Sequence, residues 1–279
     1  MSLDEVHAST LQEFYNSLNY SKSGLNAIDK VMKRFYRYLE QEGYARNITH
    51  SLVLPSKAKP VTRDKNKVIV WDDSEIDAIS NGFDKSQKGF RLRFLLVLAY
   101  YTGCRISELL ALTYTDFIEN SVSINKQTVR RAEFTQNKKT KYFMDIDPPK
   151  SEASYRVLPL TDDAMKELVR HRRWQKEDML KNGYRTEYLF TTDSGTLYDR
   201  HNITHACNRY YDRIGVEWKG FHAYRHTFGA NLCRKGIPIQ VASKLLGHSD
   251  INVTAKYYVE VAMEEKRAAV EALSGVINR

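Results

Sequence analysis

The chain has 279 residues, of which 42% are hydrophobic and 28% are charged, a composition that excludes disordered and collagen-like proteins. Its 43 lysines and arginines outnumber its 34 acidic residues and give a net charge of +9. Such a surface attracts polyanions, of which nucleic acid is the commonest, although a protein that is merely basic has the same balance. The length allows either one large domain or a small domain joined to a larger one.

Nothing in the sequence marks the chain for a membrane or for export. The longest apolar run, residues 94–101, is far too short to cross a bilayer, and the first residues lack the basic flank and apolar stretch of a secretory signal. Cys104, Cys207 and Cys233 have no disulfide or metal-ligand spacing, which fits a reducing compartment. We therefore expect a cytoplasmic protein with packing roles for its cysteines.

The first segment predicts two helices, the second with Ser21 or Ser23 as N-cap. Apolar residues at steps of three and four predict one stripe that faces a small core. A second face is basic and could reach phosphates about one turn apart, although an ordinary solvated face has the same pattern. The apolar stripe comprises Leu25, Ile28, Met32, Phe35 and Leu39, and the basic face comprises Lys30, Lys33, Arg34 and Arg37.

A polar, basic stretch bracketed by Pro55 and Pro60 follows and predicts a linker over residues 55–70. It would divide a helical domain, residues 1–54, from a larger domain, residues 71–279. A linker this basic could lie along a nucleic-acid backbone.

The larger domain begins with a predicted capping box over residues 72–75 and a buried helix over residues 90–101 that Thr102 and Gly103 end. Alternation of β-branched and aromatic residues with polar ones over residues 121–160 predicts one small antiparallel sheet with a turn at residues 137–139. Helical patterns resume at Asp162. The expected fold is mainly α with a small antiparallel β-sheet (α+β).

Three sequence segments carry candidate chemistry. Gly103 precedes Arg105 at a helix start, where an anion would be stabilised and Glu108 could orient the guanidinium; a surface salt bridge is the alternative. His222 and Arg225 share a helix face and join a proton carrier to a fixed cation.

The second histidine of that helix, His226, raises the alternative of a zinc site with His222, although the glutamate of an HExxH motif and a marked third ligand are missing. The third segment presents His248 after a glycine turn and then Tyr257 and Tyr258 on a new helix. A lone tyrosine in such a position is usually a core residue.

The order of these residues resembles the tyrosine recombinase family of phage and conjugative-transposon integrases. Arg105 is followed by His222-x-x-Arg225, then by Gly-His248, and Tyr257 lies nine residues after His248. The resemblance implies that the arginines and histidines are catalytic and that Tyr257 is the nucleophile, with Glu108 supporting. Tyr258 would be one residue late.

The resemblance also implies a catalytic lysine in a turn between two strands. The run Lys150, Arg156, Pro159-Leu160 matches the integrase pattern and selects Lys150, with Lys139 and Lys141 as rivals. A serine follows Lys150 where integrases often have threonine.

By the same resemblance we expect a DNA strand transferase that works through a 3′-phosphotyrosyl intermediate on double-stranded DNA, with no metal, ATP or other cofactor. Its partners would be further protomers, four in a synapse, with accessory DNA-bending factors, in the nucleoid of a prokaryotic host. Two alternatives remain: a type IB topoisomerase, which uses a similar residue set, and a DNA-binding regulator without chemistry.

In such integrases an N-terminal domain of about four helices closes as a clamp around DNA. The helical segment here is shorter, so we expect a truncated N-terminal domain. After Tyr257, the last helix carries an apolar face that, by the same resemblance, docks on a neighbouring protomer; packing within its own chain is the alternative. The face comprises Val261, Ala268, Ala269, Val270 and Leu273.

Overall fold

The structure is a computed structural model that describes residues 6–55, 68–83, 87–134 and 140–271. The chain divides into two compact units, Met1–Lys67 and Val68–Arg279. Most of the predicted linker and the turn predicted at residues 137–139 lie outside the described residues. Within the described ranges, no helix combines the length and apolar character needed to span a membrane.

The first unit contains the two predicted helices, α1 (Ala8–Ser17) and α2 (Lys22–Gln41), and a short 3₁₀ helix (Thr49–Ser51). Of the two candidate N-caps of α2, Ser21 accepts a hydrogen bond from the Gly24 amide. This bond satisfies one of the amide donors that a helix start leaves without a partner.

The buried stripe of α2 differs from the predicted one at a single position. Leu25, Tyr36 and Leu39 are buried, whereas Phe35 is 46% exposed, so the assignment of Phe35 to the core stripe is wrong. Tyr36 follows Leu25 by eleven residues, close to three full turns at 3.6 residues per turn, and Phe35 is rotated by about 100° from that line. The geometry of the helix therefore selects the tyrosine.

The second unit begins with α3 (Asp73–Asn81) and α4 (Gln87–Thr102). Asp72 and Glu75 form the predicted capping box at the start of α3. The core of the unit gathers around α4, which packs against α6 (Asp162–Asn182) and α8 (Phe221–Arg234). Residues 94–101 of α4 are apolar because side chains such as Leu95 and Leu98 are fully buried at the centre of this core.

Gly103 ends α4 with a positive φ of 58°. A Cβ at this position would lie 2.6 Å from the Phe228 ring of α8, so both the backbone conformation and the close packing require glycine. The tight turn leads directly into the short helix α5 (Ile106–Leu110) and places Arg105 at its N-cap.

The predicted single sheet is wrong, because the strands form two separate antiparallel sheets. One contains β1 (Phe117–Ile118), β2 (Ser121–Ile124) and β5 (Arg156–Pro159). The other is a hairpin of β3 (Gln127–Phe134) and β4 (Thr140–Asp147). Alternation along the chain shows that a segment is a strand, but not which strands pair.

Three further helices complete the unit: α7 (Arg200–Ile214), α9 (Ile239–Leu246) and α10 (Ile251–Glu271). Helix α8 contacts α4, α9 and α10, so the segments that carry the candidate residues meet around it. The architecture is mainly α with small antiparallel sheets, which confirms the predicted fold class.

The apolar face predicted for the last helix divides between the interior and the surface. Val261 is 4% exposed and Val270 is 68% exposed; the side chains of Ala268 and Ala269, and Leu273, lie outside the described residues. Val261 packs within its own chain, as one of the two alternatives expected, because it lies one turn after the buried Tyr257 on the inner side of α10.

Candidate active site

A cleft of about 710 Å³ brings together residues that are far apart in the chain. Arg105 at the start of α5, Lys150 before β5 and His222 at the start of α8 all line it. Arg130 of β3 and Arg200 at the start of α7 line it as well. The cleft is therefore predominantly cationic and suits a polyanionic ligand.

Beside the cleft lies an ion-pair cluster of Arg105, Glu108 and Arg156. The Arg105 guanidinium donates to one carboxylate oxygen of Glu108 at 2.8 Å, and Arg156 donates to the other at 2.8 Å. Arg156 also donates to the carbonyl oxygen of Leu245 at 2.9 Å. The cluster thus ties the start of α5 to β5 and to the end of α9.

Gly247 makes room for this cluster. It ends α9 with a φ of 67°, and a Cβ there would lie 2.9 Å from the guanidinium of Arg156. Any side chain at position 247 would displace the arginine or the helix end.

The charges of this cluster stabilise one another. Burial of the Glu108 carboxyl would raise its pKa, but the hydrogen bonds and positive charges of Arg156 and Arg105 outweigh it and hold the pKa below its usual value. Burial would lower the pKa of Arg156, and its bonds to Glu108 help to raise it instead. Both groups are therefore charged in the fold, with their charges paired.

Arg225 is held differently, although it is also buried, with 4% of its surface exposed. Its guanidinium donates to two backbone carbonyl oxygens, of Gly103 at 2.9 Å and of Leu246 at 2.5 Å. No carboxylate within the described part of the chain pairs with it. Burial and then the charge of Arg105 lower its pKa to about 10, against a smaller opposing effect of Glu108.

Three histidines share this environment. Burial, followed by the charges of Arg225 and Arg105, lowers the pKa of His248 to about 4. Burial also lowers the pKa of His222 and of His226, and nearby cations contribute to both shifts. Because positive charge is disfavoured there, the neutral form of all three imidazoles is favoured at pH 7. We name Arg225 and these three histidines the cationic group, after the charge of the arginine and the charge that protonation would give the rings.

Tyr257 lies within the cationic group. Its ring centroid is 5.7 Å from that of His226 and 6.4 Å from that of His248. Burial raises the pKa of the Tyr257 hydroxyl, and Arg225 and Arg105 oppose the rise. A Cβ on Gly229 would lie 2.9 Å from the Tyr257 ring, so the missing side chain lets α8 and α10 approach closely here.

The neighbouring tyrosine has a different environment. The Tyr258 hydroxyl donates to the backbone carbonyl oxygen of Ile237, at the turn between α8 and α9. Adjacent residues on a helix point about 100° apart, so only Tyr257 faces the cationic group.

The lysine candidates also separate. Lys150 lines the cleft, Lys141 is exposed on β4 opposite Glu133 and is not a lining residue, and Lys139 lies outside the described residues. Sequence reasoning gave Arg156 no role of its own, although it stands in the quoted integrase pattern. It missed Arg130 and Arg200, because no motif marks them.

The structure gives His226 a packing environment. Its Nδ1 lies 3.2 Å from the carbonyl oxygen of Ile69, and its ring centroid is 6.3 Å from that of His222. Among the residues that the structure describes, no group of three or more His, Cys, Asp or Glu side chains could hold a metal ion.

Comparison with known proteins identifies the family. The phage integrase family matches residues 70–265. The tyrosine recombinase XerC-like protein of Caldanaerobacter subterraneus subsp. tengcongensis is 30% identical over 98% of this chain and 72% of its own length. The tyrosine recombinase XerD of Vibrio cholerae is 26% identical over 94% of this chain and 79% of its own length.

Solved structures share the fold. The Tn1549 transposon integrase in complex with circular intermediate DNA superimposes with a TM-score of 0.66 at 21% identity, over 98% of this chain and 87% of that one. A lambda integrase dimer bound to a core site gives a TM-score of 0.56 at 18% identity, over 92% and 65%. The family match and the 30% identical relative confirm the resemblance found in the sequence, and the chain belongs to the phage integrase family of tyrosine recombinases.

Proposed function

We propose that the cleft binds double-stranded DNA and that Tyr257 attacks a phosphodiester in it. The observation that carries the proposal is the burial of Tyr257 beside Arg225 and three histidines, none of which has a carboxylate partner in the described chain. The Tyr257 oxygen forms a bond to phosphorus, the bond to the 5′ oxygen breaks, and a 3′-phosphotyrosyl ester remains. Attack by a 5′ hydroxyl of another strand reverses the step and rejoins DNA.

The negative phosphate must be neutralised before a nucleophile can approach. Arg105 and Arg225 hold the non-bridging oxygens by charge-assisted hydrogen bonds, which strengthen as charge grows in the transition state. His248 adds a neutral donor: its Nδ1 lies 2.8 Å from the Thr254 hydroxyl, and when that hydroxyl donates, the ring proton is on Nε2.

Two proton transfers complete the reaction. His222 is neutral because its pKa is lowered, so it can accept the phenolic proton as the Tyr257 oxygen attacks. The Lys150 ammonium donates a proton to the departing 5′ oxygen, which is otherwise a poor leaving group. Atoms and charge then balance without a metal or a nucleotide.

The relatives favour strand exchange over the alternative of supercoil relaxation, because they are named recombinases. The Tn1549 integrase, a transposon enzyme in complex with DNA, supports integration or excision of a mobile element as the reaction. We further propose that residues 71–279 are catalytic and that residues 1–54 bind DNA. The DNA-binding residues of the first segment would be Lys30, Lys33, Arg34 and Arg37. Four protomers would assemble on two DNA sites at the nucleoid, assisted by DNA-bending factors.

A selection from a random library of nicked duplexes tests this function and does not require a known target sequence. A nick just 3′ of the scissile phosphate lets the short fragment that carries the new 5′ hydroxyl diffuse away, and this traps the covalent complex. We expect protein-linked DNA of a common sequence, formed equally in EDTA. Arg105→Ala should bind the selected sequence and form no adduct. Absence of any adduct from the wild type would leave only DNA binding without chemistry.

A further inference from the structure

Arg200 is a cation of the cleft that none of the assigned roles uses. It is the first residue of α7 and is exposed. It lines the cleft together with Arg105, Lys150 and His222. The fold thus places a further guanidinium on the wall of the cleft.

The acidic residue nearest in sequence, Asp199, is already engaged. Its carboxylate accepts from the His201 amide at 2.8 Å and caps α7, and it lies 3.3 Å from the guanidinium of Arg130. Within the described residues, no carboxylate forms an ion pair with Arg200. The charge of Arg130 is therefore partly neutralised, whereas that of Arg200 remains available to a ligand.

Arg200 is also close to the groups that carry the proposed chemistry. Partial burial lowers the pKa of His222, and the charge of Arg200 is the next contribution, ahead of Arg225 and Arg105. The Coulomb energy between two charges falls with distance, and both residues line the same cleft. Besides these three cations, Lys150 and His226 face His222 from the cleft wall and from α8.

The cleft has room for more than one phosphate. A volume of about 710 Å³ is in the range of roughly 300–1,000 Å³ that holds whole organic ligands. A nucleotide sugar and a second phosphodiester therefore fit beside the group held by Arg105.

From this arrangement we propose that Arg200 binds the backbone phosphate adjacent to the one that Tyr257 attacks. The inference rests on the proposed function and extends it. Two phosphates held at two points fix the register of the strand, so the scissile bond meets the tyrosine only when both are seated. The contact carries no sequence information and acts on every substrate alike.

The test combines Arg200→Gln with neutral methylphosphonates placed one at a time at the phosphates that flank the cleavage position of the selected nicked duplex. Loss of one charge-assisted contact should lower the cleavage rate of Arg200→Gln by about tenfold or more. A methylphosphonate at the contacted phosphate should slow the wild type equally and slow Arg200→Gln little further, because both changes remove one interaction. Arg200→Lys should retain most activity.

Arg173→Gln is the matched control, since it removes an exposed arginine that is 3.5 Å from Glu177 on α6 and outside the cleft lining. It should cleave like the wild type. Equal cleavage by Arg200→Gln and Arg173→Gln, or independent effects of Arg200→Gln and every methylphosphonate, would overturn the inference while the proposed function stands.

A binding measurement separates the two proposals if the wild type forms no adduct. On a duplex of about 30 base pairs, Arg200→Gln should reduce the slope of log K against log salt by about 0.9, the value for one phosphate contact. In that case the phosphate contact stands and the chemistry fails. An unchanged slope would overturn the contact itself.

Discussion

The ion-pair cluster and the cationic group lie side by side, yet the fold stabilises the charges of the cluster and disfavours positive charge in the group. In the cluster, Glu108 is bonded to two arginines and its pKa is held below its usual value. In the group, Arg225 has only backbone carbonyls as partners, and the pKa of the arginine and of all three histidines is lowered.

This difference separates Glu108 and Arg156, which hold the fold, from Arg225 and the histidines, which await a ligand. Arg105 belongs to both, because it is paired with Glu108 and also lines the cleft. A lowered pKa of a cationic group means that the folded protein disfavours its positive charge. An anion that binds at such a site stabilises the positive charge and lowers the free energy of the folded protein. The charges of the cluster are already paired with one another. The role of the cluster is to keep Arg105 and the helix ends in position around Arg225, whose charge has no carboxylate partner in the described residues.

The largest effect is expected at the tyrosine inside the cationic group. Tyr257→Phe removes only the hydroxyl, so the variant should fold and bind DNA but form no covalent adduct. Tyr258→Phe is the matched control; it should form the adduct and lose about 1 kcal/mol of stability with the bond to Ile237. Mass spectrometry of the DNA-linked peptide checks the assignment, and an adduct on Tyr258 would refute it.

Arg225→Met should separate activity from stability. We expect cleavage to fall by about 100-fold or more, the usual effect of removing one donor to a developing oxyanion. Removal of a charge that the fold disfavours offsets the loss of the donors to the Gly103 and Leu246 carbonyl oxygens, so the melting temperature should change little. Single-turnover cleavage and thermal unfolding measure the two effects. A large fall in the melting temperature would show that Arg225 belongs with the structural charges.

Glu108→Gln, in contrast, should strongly lower the stability of the fold. It leaves the buried guanidinium of Arg156, whose side chain is 6% exposed, without its anion, at a cost of about 3–5 kcal/mol. Wild-type stability from Glu108 is present above the unfolded pKa of a glutamate and is lost as the pH falls through the lower folded value. Denaturant unfolding of both proteins at neutral and acidic pH checks this. Equal stability at neutral pH would argue against the cluster as a structural anchor.

The lowered pKa values of the three histidines predict a loss of stability at low pH, which a bound anion should oppose. Their folded pKa values lie below the unfolded value, so the folded state binds fewer protons, and stability should fall as the pH drops below about 6.5. Duplex DNA should oppose the loss by favouring the protonated rings. Thermal unfolding from about pH 7 to about pH 5, with and without DNA, tests this, and His248→Gln should flatten the profile.

The smallest effect is expected on the basic face of α2, which also contains a cation with an acidic partner and a cation without one. Lys33 lies 2.9 Å from Asp29, whereas Arg37 is exposed and has no ion pair in the described residues. If this face binds phosphates, Arg37→Gln should lower the salt slope of DNA binding by about 0.9, and Lys33→Gln by less. Equal slopes for both variants and the wild type would remove α2 from the DNA interface.

Much of the site was predictable because its members stand in a fixed order along the chain. The choice of Tyr257 over Tyr258 follows the spacing from His248 that the family resemblance implies. The helix starts at Asp72 and Arg105 and the shared α8 face of His222 and Arg225 depend instead on residues within a few positions of one another. Capping, helical periodicity and glycine turns act over that range, so the sequence carried these features directly.

Other features of the site could be identified only from the folded structure. Arg156 bonds to Leu245, 89 residues away, and Arg225 to Gly103, 122 residues away. Sheet pairing, the burial of Val261 and the place of Arg200 in the cleft likewise depend on segments brought together by packing around α4. The charge state of a side chain depends on desolvation and on neighbours in space. For this reason the sequence by itself selected the candidate residues of the site, and only the tertiary structure decided which of their charges are paired.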